Sequence, residues 1–287
     1  MSNHISTNKL AHHRVLLLGG TSGVGFTVAR GALEHGANIV VSSSNPEKVL
    51  SAVARLKALY PEPSYTSRVA GFACDLGDQT TMEANLVALL EYATAGDLFP
   101  TSTSTSLSGS IEKKERIPLN HIIYTAGSRP DPLPITSPTL TASTFSQHTT
   151  VRLLAPILIA KHSPTYLSTA QSSSITFTSG VLALKPHPGM TLGAAAATAL
   201  EGLTRGLAVE LAPVRVNTVM LGAVETELFD AFGEQRETYL GVFRKGTLSG
   251  EVGRPGDVAE AYLWCMKDWF VTGERVGTDG GWMLKSN

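Results

Sequence analysis

The sequence has few of the features that direct a chain to nucleic acid, to a membrane or into a disulfide-bonded scaffold. It contains only two cysteines, Cys74 and Cys265, in 287 residues. They provide neither a disulfide framework nor zinc-ligand spacing, so we expect a reducing, cytoplasmic compartment. The net charge is −1 and no long basic run is present, which argues against a nucleic-acid partner. No apolar run approaches the roughly 18 residues of a membrane span.

Two segments are poorly suited to a folded core. Residues 1–13 are polar and lack a signal-peptide pattern, so we expect a disordered tail. The histidines of this segment have no cysteine or carboxylate beside them, so we predict no metal site there. Eight of the ten residues from Thr101 to Ser110 are Ser or Thr, and we interpret residues 99–118 as a flexible surface insertion. Residues 14–284 show no boundary or repeat and predict a single domain.

The stretch from Val15 to Gly25 predicts a strand, a glycine turn and a helix. Val15 to Leu18 is short and apolar, which is typical of a strand buried on both faces. Gly19, Gly23 and Gly25 follow in a G-x-x-x-G-x-G spacing, which lets the backbone turn sharply and approach a pyrophosphate. Such a turn places a phosphate on N–H groups at a helix N-terminus. The alternative is an ordinary glycine-rich turn between strand and helix.

The second predicted strand ends without an acidic residue. In NAD-binding folds a carboxylate at this position bonds the adenosine ribose hydroxyls. Here the sequence reads Ser42-Ser43-Ser44-Asn45, whose hydroxyls and N–H groups favour the 2′-phosphate of NADP(H), which a carboxylate would repel. The same residues could serve only as the cap of a helix beginning at Pro46. The two interpretations are compatible, because a capped helix start is also where phosphate binds.

Strand-like and helix-like segments alternate along the chain. Strands are predicted at 15–18, 38–42, 69–74, 120–124, 174–177, 214–220 and 274–278. A helix is predicted from Ser143 to His162 with a kink at Pro156, and residues 230–248 predict a mobile helix and loop. This alternation predicts the α/β class, with a single doubly wound parallel sheet and helices on both faces.

Several motifs in the same order resemble those of the short-chain dehydrogenase/reductase family. The matching motifs are the glycine turn with Leu18 in place of Thr, Asp75-Leu76, Thr125-Ala126-Gly127, Arg215-Val216-Asn217, Thr226, Gly253-Arg254-Pro255 and Asp279-Gly280-Gly281. The resemblance implies a Rossmann-like fold, NADP(H) as cofactor, a small-molecule substrate and a homodimer or homotetramer. The implied cofactor contacts are Gly19, Thr21, Ser22, Gly23, Val24, Gly25, Ser42, Ser43, Ser44, Asn45, Asp75, Leu76, Thr125, Ala126, Gly127, Arg152, Val224 and Thr226.

Most of the catalytic residues of that family are missing. The family uses Asn, Ser, Tyr and Lys, with the last two spaced Tyr-x-x-x-Lys. The register of the long predicted helix places Gly193 at the Tyr position and Ala197 at the Lys position. The Asn position falls on Arg152, and the Ser position falls on Ser179 or Gly180. The phenol that donates a proton and the ammonium that lowers its pKa are therefore both absent.

Three residues are candidates for the remaining chemistry. Arg152 could orient the cofactor or polarise a substrate oxygen, or it could form a salt bridge that fills the volume of the missing site. His187 could donate a proton, or it could simply be exposed. Ser179 could bond a substrate oxygen or only cap the end of a strand.

Arg152, the 186–190 loop and the serines after the second strand are similar to a divergent, mostly fungal branch of the family that lacks Tyr and Lys. Some members are NADPH-dependent reductases of iminium intermediates in alkaloid pathways, and one also catalyses a cyclisation. They carry Pro-Asp-Pro-Gly-Trp in this loop, where the present chain has His187 and Met190. The resemblance implies reduction of an activated C=N, C=C or C=O in a small, specialised-metabolism substrate. The alternatives are a non-redox isomerase or cyclase and a nucleotide-binding protein without catalysis.

Overall fold

Seven parallel strands form one sheet. In the computed structural model, which describes residues 6–100, 115–127 and 132–286, they are Arg14–Leu18 (β1), Asn38–Ser43 (β2), Val69–Ala73 (β3), His121–Tyr124 (β4), Ser174–Gly180 (β5), Arg215–Leu221 (β6) and Arg275–Thr278 (β7). They lie in the order β3-β2-β1-β4-β5-β6-β7 with parallel pairings throughout. The order reverses direction between β1 and β4, where doubly wound folds bind ligands. The predicted parallel sheet is confirmed.

Helices cover both faces of the sheet. They are Gly23–Glu34 (α1), Pro46–Leu59 (α2), Pro63–Thr66 (α3), Met82–Thr94 (α4), Ala142–Thr149 (α5), Ala155–Tyr166 (α6), Thr191–Glu210 (α7), Arg236–Gly246 (α8) and Pro255–Lys267 (α9). Short 3₁₀ segments occupy Val181–Ala183, Glu227–Gln235 and Trp282–Leu284. The stretch 230–248, expected to be partly loop, is therefore mostly helical. Among the described residues, no helix is long and apolar enough to cross a membrane.

The apolar core has one large cluster on each face of the sheet, and a small third cluster lies around Phe229. Side chains of a strand alternate between the faces, so Leu16 and Leu18 of β1 belong to one cluster while Val15 and Leu17 belong to the other. All four are at most 2% exposed. Burial on both faces explains why β1 is an uninterrupted apolar run rather than an alternating one.

A π turn, Thr150–Leu154, separates α5 from α6 and carries Arg152. Here the N–H of Ala155 donates to the carbonyl of Thr150, five residues back. Pro156 accounts for the widening, because it has no N–H for the carbonyl of Arg152 and its ring would crowd that carbonyl in a regular helix. The sequence predicted a kink at Pro156, and the structure places the distortion in the turn before it.

Residues 6–13, which the sequence assigned to a disordered tail, pack against the domain. Leu10 is fully buried in the core cluster that includes α1 and α9. The ammonium of Lys9 donates to the carbonyl of Lys267 at 3.0 Å. The structure corrects the tail prediction for these residues, because the buried Leu10 and the hydrogen bond of Lys9 hold them against the domain. Residues 1–5 lie outside the described part of the chain.

The predicted insertion at 99–118 falls largely on residues 101–114, which lie outside the described part of the chain. Its first residue does not fit the interpretation. Phe99 is 3% exposed and packs in the core, with the guanidinium of Arg14 lying 5.2 Å from the ring centre. The predicted boundary is therefore too early, because the aromatic side chain at 99 belongs to the folded domain.

His13 and His121 pair at the amino-terminal edge of the sheet, where His121 is fully buried and His13 is half-buried. His13 Nδ1 lies 3.0 Å from His121 Nε2, and Nδ1 of His121 lies 2.8 Å from Ser174 Oγ. Burial lowers the pKa of both imidazoles, and the nearby His13 and Arg215 further lower the pKa of His121. Both histidines are therefore neutral in the folded protein at neutral pH.

We expect the free energy of unfolding to fall as the pH drops from 7 to 5.5. The unfolded chain protonates these histidines near their ordinary pKa of about 6.5, whereas the folded pKa values lie lower, so acid favours the unfolded state. The slope contributed by the fully buried His121 approaches about 1.4 kcal/mol per pH unit below that value, and the half-buried His13 adds a smaller, solvent-screened share. Urea unfolding at several pH values measures it. His121→Gln should flatten the dependence; a wild-type stability that is constant over this range contradicts the prediction.

Candidate active site

The glycine turn after β1 is packed too tightly to hold side chains. Gly19 has φ +87°, and a Cβ there would lie 2.6 Å from the backbone N of Ala126. A Cβ on Gly25 would lie 2.2 Å from the carbonyl oxygen of Gly19 and 2.5 Å from Thr125 Oγ1. The turns after β1 and β4 therefore pack in direct contact, with the glycine backbone against the backbone of Ala126 and the side chain of Thr125. They leave a floor that a pyrophosphate can approach closely.

The start of α1 faces this floor. Its N-cap, Ser22, is exposed and extended, and its side chain makes no capping hydrogen bond. Thr21 before it and Val24 after it are buried, whereas Gly23, with φ +50°, is partly accessible. The Ser22 hydroxyl and the first N–H groups of the helix can therefore bind an anion. These residues fit the pyrophosphate of a dinucleotide.

The polar residues at the end of β2 cap the next helix. Asn45 is the N-cap of α2, and its Oδ1 accepts a hydrogen bond from the N–H of Lys48 at 3.0 Å. Ser43 Oγ accepts from the N–H of Asn45 at 3.2 Å. Ser42 is buried and Ser44 is exposed. The capping interpretation is confirmed, and the same hydroxyl and amide groups, none of them acidic, remain at the edge where an adenosine ribose would bind.

The other predicted cofactor contacts lie at the carboxyl ends of strands. They are Asp75 and Leu76 after β3, Thr125, Ala126 and Gly127 after β4, and Val224 and Thr226 after β6. The exposed Asp75 carboxylate accepts from the N–H of Gly77 at 2.9 Å. The methyl group of Thr226 lies 3.0 Å from where a Cβ on Gly23 would be. The chain thus brings five strand ends to one edge of the sheet.

Arg152 reaches this edge from the π turn. Its two terminal nitrogens and Cζ lie 3.8–3.9 Å from where a Cβ on Gly127 would be. The hydroxyl of Tyr124 donates to the carbonyl of Val151, which ties the π turn to the end of β4. Burial lowers the pKa of the Arg152 guanidinium, and the neighbouring Tyr124 opposes that shift. An arginine remains protonated at neutral pH, so the site holds a partly buried cation with a planar fork of donors.

Ser179 faces α7 close to Ala197, the residue at the position that the family motif assigns to lysine. Its Oγ donates to the carbonyl of Ala197 at 3.3 Å, and the residue is 7% exposed. Its neighbour Thr178 points to the other face, where its hydroxyl lies 2.8 Å from that of Tyr262. Because side chains alternate along a strand, position 180 belongs to the face of Thr178. Ser179, rather than Gly180, therefore shares a face with the helix that carries Gly193 and Ala197.

His187 lies on the loop that precedes α7. Its side chain is exposed and makes no hydrogen bond with any described residue. The carbonyl of Gly189 accepts from the N–H of Leu133 at 2.8 Å, which joins this loop to the segment before α5. Arg152 and Ser179 thus sit on fixed elements at the edge of the sheet, whereas His187 sits on an exposed loop.

Sequence reasoning did not identify the contacts made by the Arg-Val-Asn motif of β6. Asn217 Nδ2 donates to the carbonyl of Val271 at 3.0 Å, and its Oδ1 accepts from the N–H of Glu274 at 3.1 Å. Arg215 donates to several carbonyls at the end of α9. These bonds position β7 and α9 beside β6. The motif match located both residues, but their partners are backbone groups that every sequence contains.

Comparison with known proteins agrees with this architecture. The SDR-like Rossmann domain family matches residues 6–285. Short-chain dehydrogenase/reductase malC of Malbranchea aurantiaca is 38% identical over 281 residues, which cover 98% of each chain. Short-chain dehydrogenase/reductase ATR9 of Stachybotrys chlorohalonatus is 35% identical over 94% of this chain and 97% of its own.

Solved structures give the same result. The MalC reductase/Diels-Alderase of Malbranchea aurantiaca has a TM-score of 0.85 at 37% identity, covering 98% of this chain and 100% of that one. A short-chain dehydrogenase from Burkholderia cenocepacia in complex with NADP has a TM-score of 0.74 at 23% identity, covering 96% and 100%, and shares the fold. Sequence and fold thus agree over nearly the whole length of the chain, which belongs to the short-chain dehydrogenase/reductase family.

Proposed function

We propose that the protein is an NADPH-dependent reductase with a non-standard active site. The observation that carries the proposal is that the Arg152 guanidinium lies against Gly127, beside the glycine turn that forms the floor of the site. The open start of α1 supports binding of a pyrophosphate, and the non-acidic end of β2 supports a cofactor with a 2′-phosphate. In this proposal the cofactor lies along the carboxyl ends of the strands and Arg152 lies beside its reactive end.

NADPH supplies a hydride when bound, and the residues of the chain provide binding and orientation. The first N–H groups of α1 and the Ser22 hydroxyl hold the pyrophosphate. Arg152 binds a ribose hydroxyl or a substrate oxygen, and there it stabilises negative charge that develops during reduction. Ser179 bonds a substrate oxygen only if its hydroxyl turns away from Ala197, to whose carbonyl it donates in this structure.

The absence of Tyr and Lys favours some acceptors over others. A positioned general acid contributes about 10²–10⁴ in rate, whereas positioning the reactants contributes an effective molarity of about 10⁵ M or more. An iminium carbon or a strongly polarised enone accepts a hydride with little or no proton transfer, but a simple ketone requires a proton. We therefore propose an activated C=N, C=C or C=O in a small molecule of specialised metabolism, an assignment consistent with the fungal relatives.

NADPH should bind at least about tenfold more tightly than NADH. Tenfold corresponds to about 1.4 kcal/mol, which one charge-assisted contact at the end of β2 supplies. Calorimetric titration of the purified protein with both nucleotides measures the ratio. Ser43→Asp should reverse the preference, because a carboxylate repels the 2′-phosphate, and Ser51→Asp on α2 is the exposed control. NADH binding as tight as NADPH binding would contradict the prediction.

Comparison of metabolites with and without the gene would identify a substrate, and the purified protein would then test the reaction class. Stoichiometric loss of NADPH with product supports the reductase. Product formed without loss of NADPH supports a non-redox cyclase or isomerase that uses the nucleotide as a scaffold. That second candidate is favoured by one observation, the description of the 37% identical MalC as both reductase and Diels-Alderase. Nucleotide binding without turnover would leave a protein that binds but does not catalyse.

We also propose a homodimer or homotetramer in the cytoplasm. Val209 on α7 and Phe270 after α9 are 80% and 92% exposed, and large exposed apolar side chains favour contact with another copy. Light scattering of the purified protein tests the assembly, and a monomer at micromolar concentration would contradict it.

A further inference from the structure

A cleft of about 400 Å³ opens beside the glycine turn. One wall belongs to α1 and α2, and the other belongs to the segment that follows β6. The lining residues that matter here are Gly23 and Arg55 on the first wall and Glu225, Glu227, Asp230 and Arg236 on the second. The cleft therefore lies where the start of α1 meets an unusually acidic segment.

The acidic residues of this segment differ in their partners. Arg236 pairs with several carboxylates, of which Glu225 at 2.7 Å and Asp230 at 3.5 Å line the cleft. Glu227 is exposed, and its carboxylate makes no hydrogen bond or ion pair with any described residue. One of its carboxylate oxygens lies 3.5 Å from where a Cβ on Gly23 would be. Its charge is therefore directed at the start of α1.

The start of a helix attracts an anion, because its first N–H groups lack partners and the helix dipole is positive there. Ser22 does not satisfy those groups with its own side chain. In the nucleotide-free protein Glu227 is the nearby anion. A nucleotide pyrophosphate bound to the same N–H groups would lie close to the Glu227 carboxylate, and like charges repel.

We propose that Glu227 is an internal anion whose charge opposes binding of the nucleotide pyrophosphate at the start of α1 and thereby lowers the affinity for the nucleotide. The inference rests on the proposed function, since that function places the pyrophosphate there. It makes Glu227 a determinant of cofactor affinity that contacts neither the adenosine nor the nicotinamide. Weak retention of the nucleotide would favour its exchange after each turnover.

Titration of Glu227→Gln with NADPH and with NADH tests the proposal. At low salt both nucleotides should bind about threefold to tenfold more tightly than to wild type, because both carry the pyrophosphate and one opposing charge is gone. The gain should shrink at high ionic strength, where the charges are screened. Glu234→Gln, an exposed residue of the same 3₁₀ segment, is the matched control and should bind like wild type.

The thermal stability of the nucleotide-free protein provides a second readout, on which the same substitution should have an unfavourable effect. Glu227→Gln should lower its Tm by about 1–3 °C, because the helix loses a stabilising anion. Tighter binding of NADPH alone would place Glu227 near the 2′-phosphate and overturn the inference. Unchanged Kd values for both nucleotides, in a wild type that binds NADPH, would also overturn it while leaving the proposed function intact. A wild type that binds neither nucleotide would instead overturn the proposed function.

Discussion

Replacing Arg152 by Ala should lower kcat/KM by about 100-fold, a loss of about 2.7 kcal/mol in transition-state stabilisation. The π turn holds the guanidinium against Gly127, so the variant removes a preorganised cation rather than a mobile surface charge. Steady-state kinetics of the purified protein with NADPH and its substrate measure the effect. Ser179→Ala should cost less, because the Ser179 hydroxyl already donates to the carbonyl of Ala197.

Two further variants separate a catalytic role from a structural one. Arg152→Lys keeps the charge but loses the planar fork, so it should recover only part of the activity. Arg205→Ala on the exposed side of α7 is a matched control and should retain wild-type kinetics. If Arg152→Ala keeps both its kcat/KM and its NADPH affinity, the arginine fills space through a salt bridge and the proposed catalytic role is wrong.

Arg215→Met should reduce the free energy of unfolding by about 3 kcal/mol or more and lower the Tm by about 6 °C or more. Arg215 is 2% exposed, and its guanidinium donates to the carbonyls of Gln171, Cys265, Met266 and Asp268. Burial lowers its pKa to about 10, so it remains cationic at neutral pH. Without it, the carboxyl end of α9 is buried with unpartnered carbonyls. Urea unfolding and a thermal melt measure the loss.

The exposed Arg205→Met is the control for this effect and should leave the Tm nearly unchanged. Arg215→Lys retains the charge but has fewer donors on a single nitrogen, so it should fall between wild type and Arg215→Met. A Tm of Arg215→Met equal to that of the wild type would show that water or a shifted backbone satisfies the carbonyls.

Most of the sheet and the glycine floor could be predicted because their determinants are local. The run from Val15 to Leu18 is apolar at every position, and Gly19 and Gly25 after it occupy positions where a Cβ would meet backbone. The cap of α2 was equally predictable, since Asn45 and Pro46 are adjacent to the helix that they begin. The prediction that Gly193 and Ala197 stand in place of the catalytic Tyr and Lys required only the register of one helix.

The contacts between distant segments could not be predicted in this way. The bond from Ser179 to Ala197 depends on how α7 lies on β5, and the packing of Leu10 depends on a surface assembled from α1 and α9. The position of the Arg152 guanidinium depends on a widened turn, for which a proline four residues later is only a partial signal. The periodicity of apolar residues indicates which face of a helix or strand is apolar, but not which other segment packs against that face.

The widened turn also gives the two helices on either side of it different angular phases. One extra residue in a turn rotates everything that follows by about 100° about the axis. This offset lets α6 direct its apolar side into the core, whereas α5, which has no fully buried residue, stays at the periphery. The phase offset sets the direction of the Arg152 side chain. Deleting one residue of Thr150–Leu154 would therefore shift every later side chain of α6 out of phase, while substitutions on the outer side of α5 would leave the guanidinium in place.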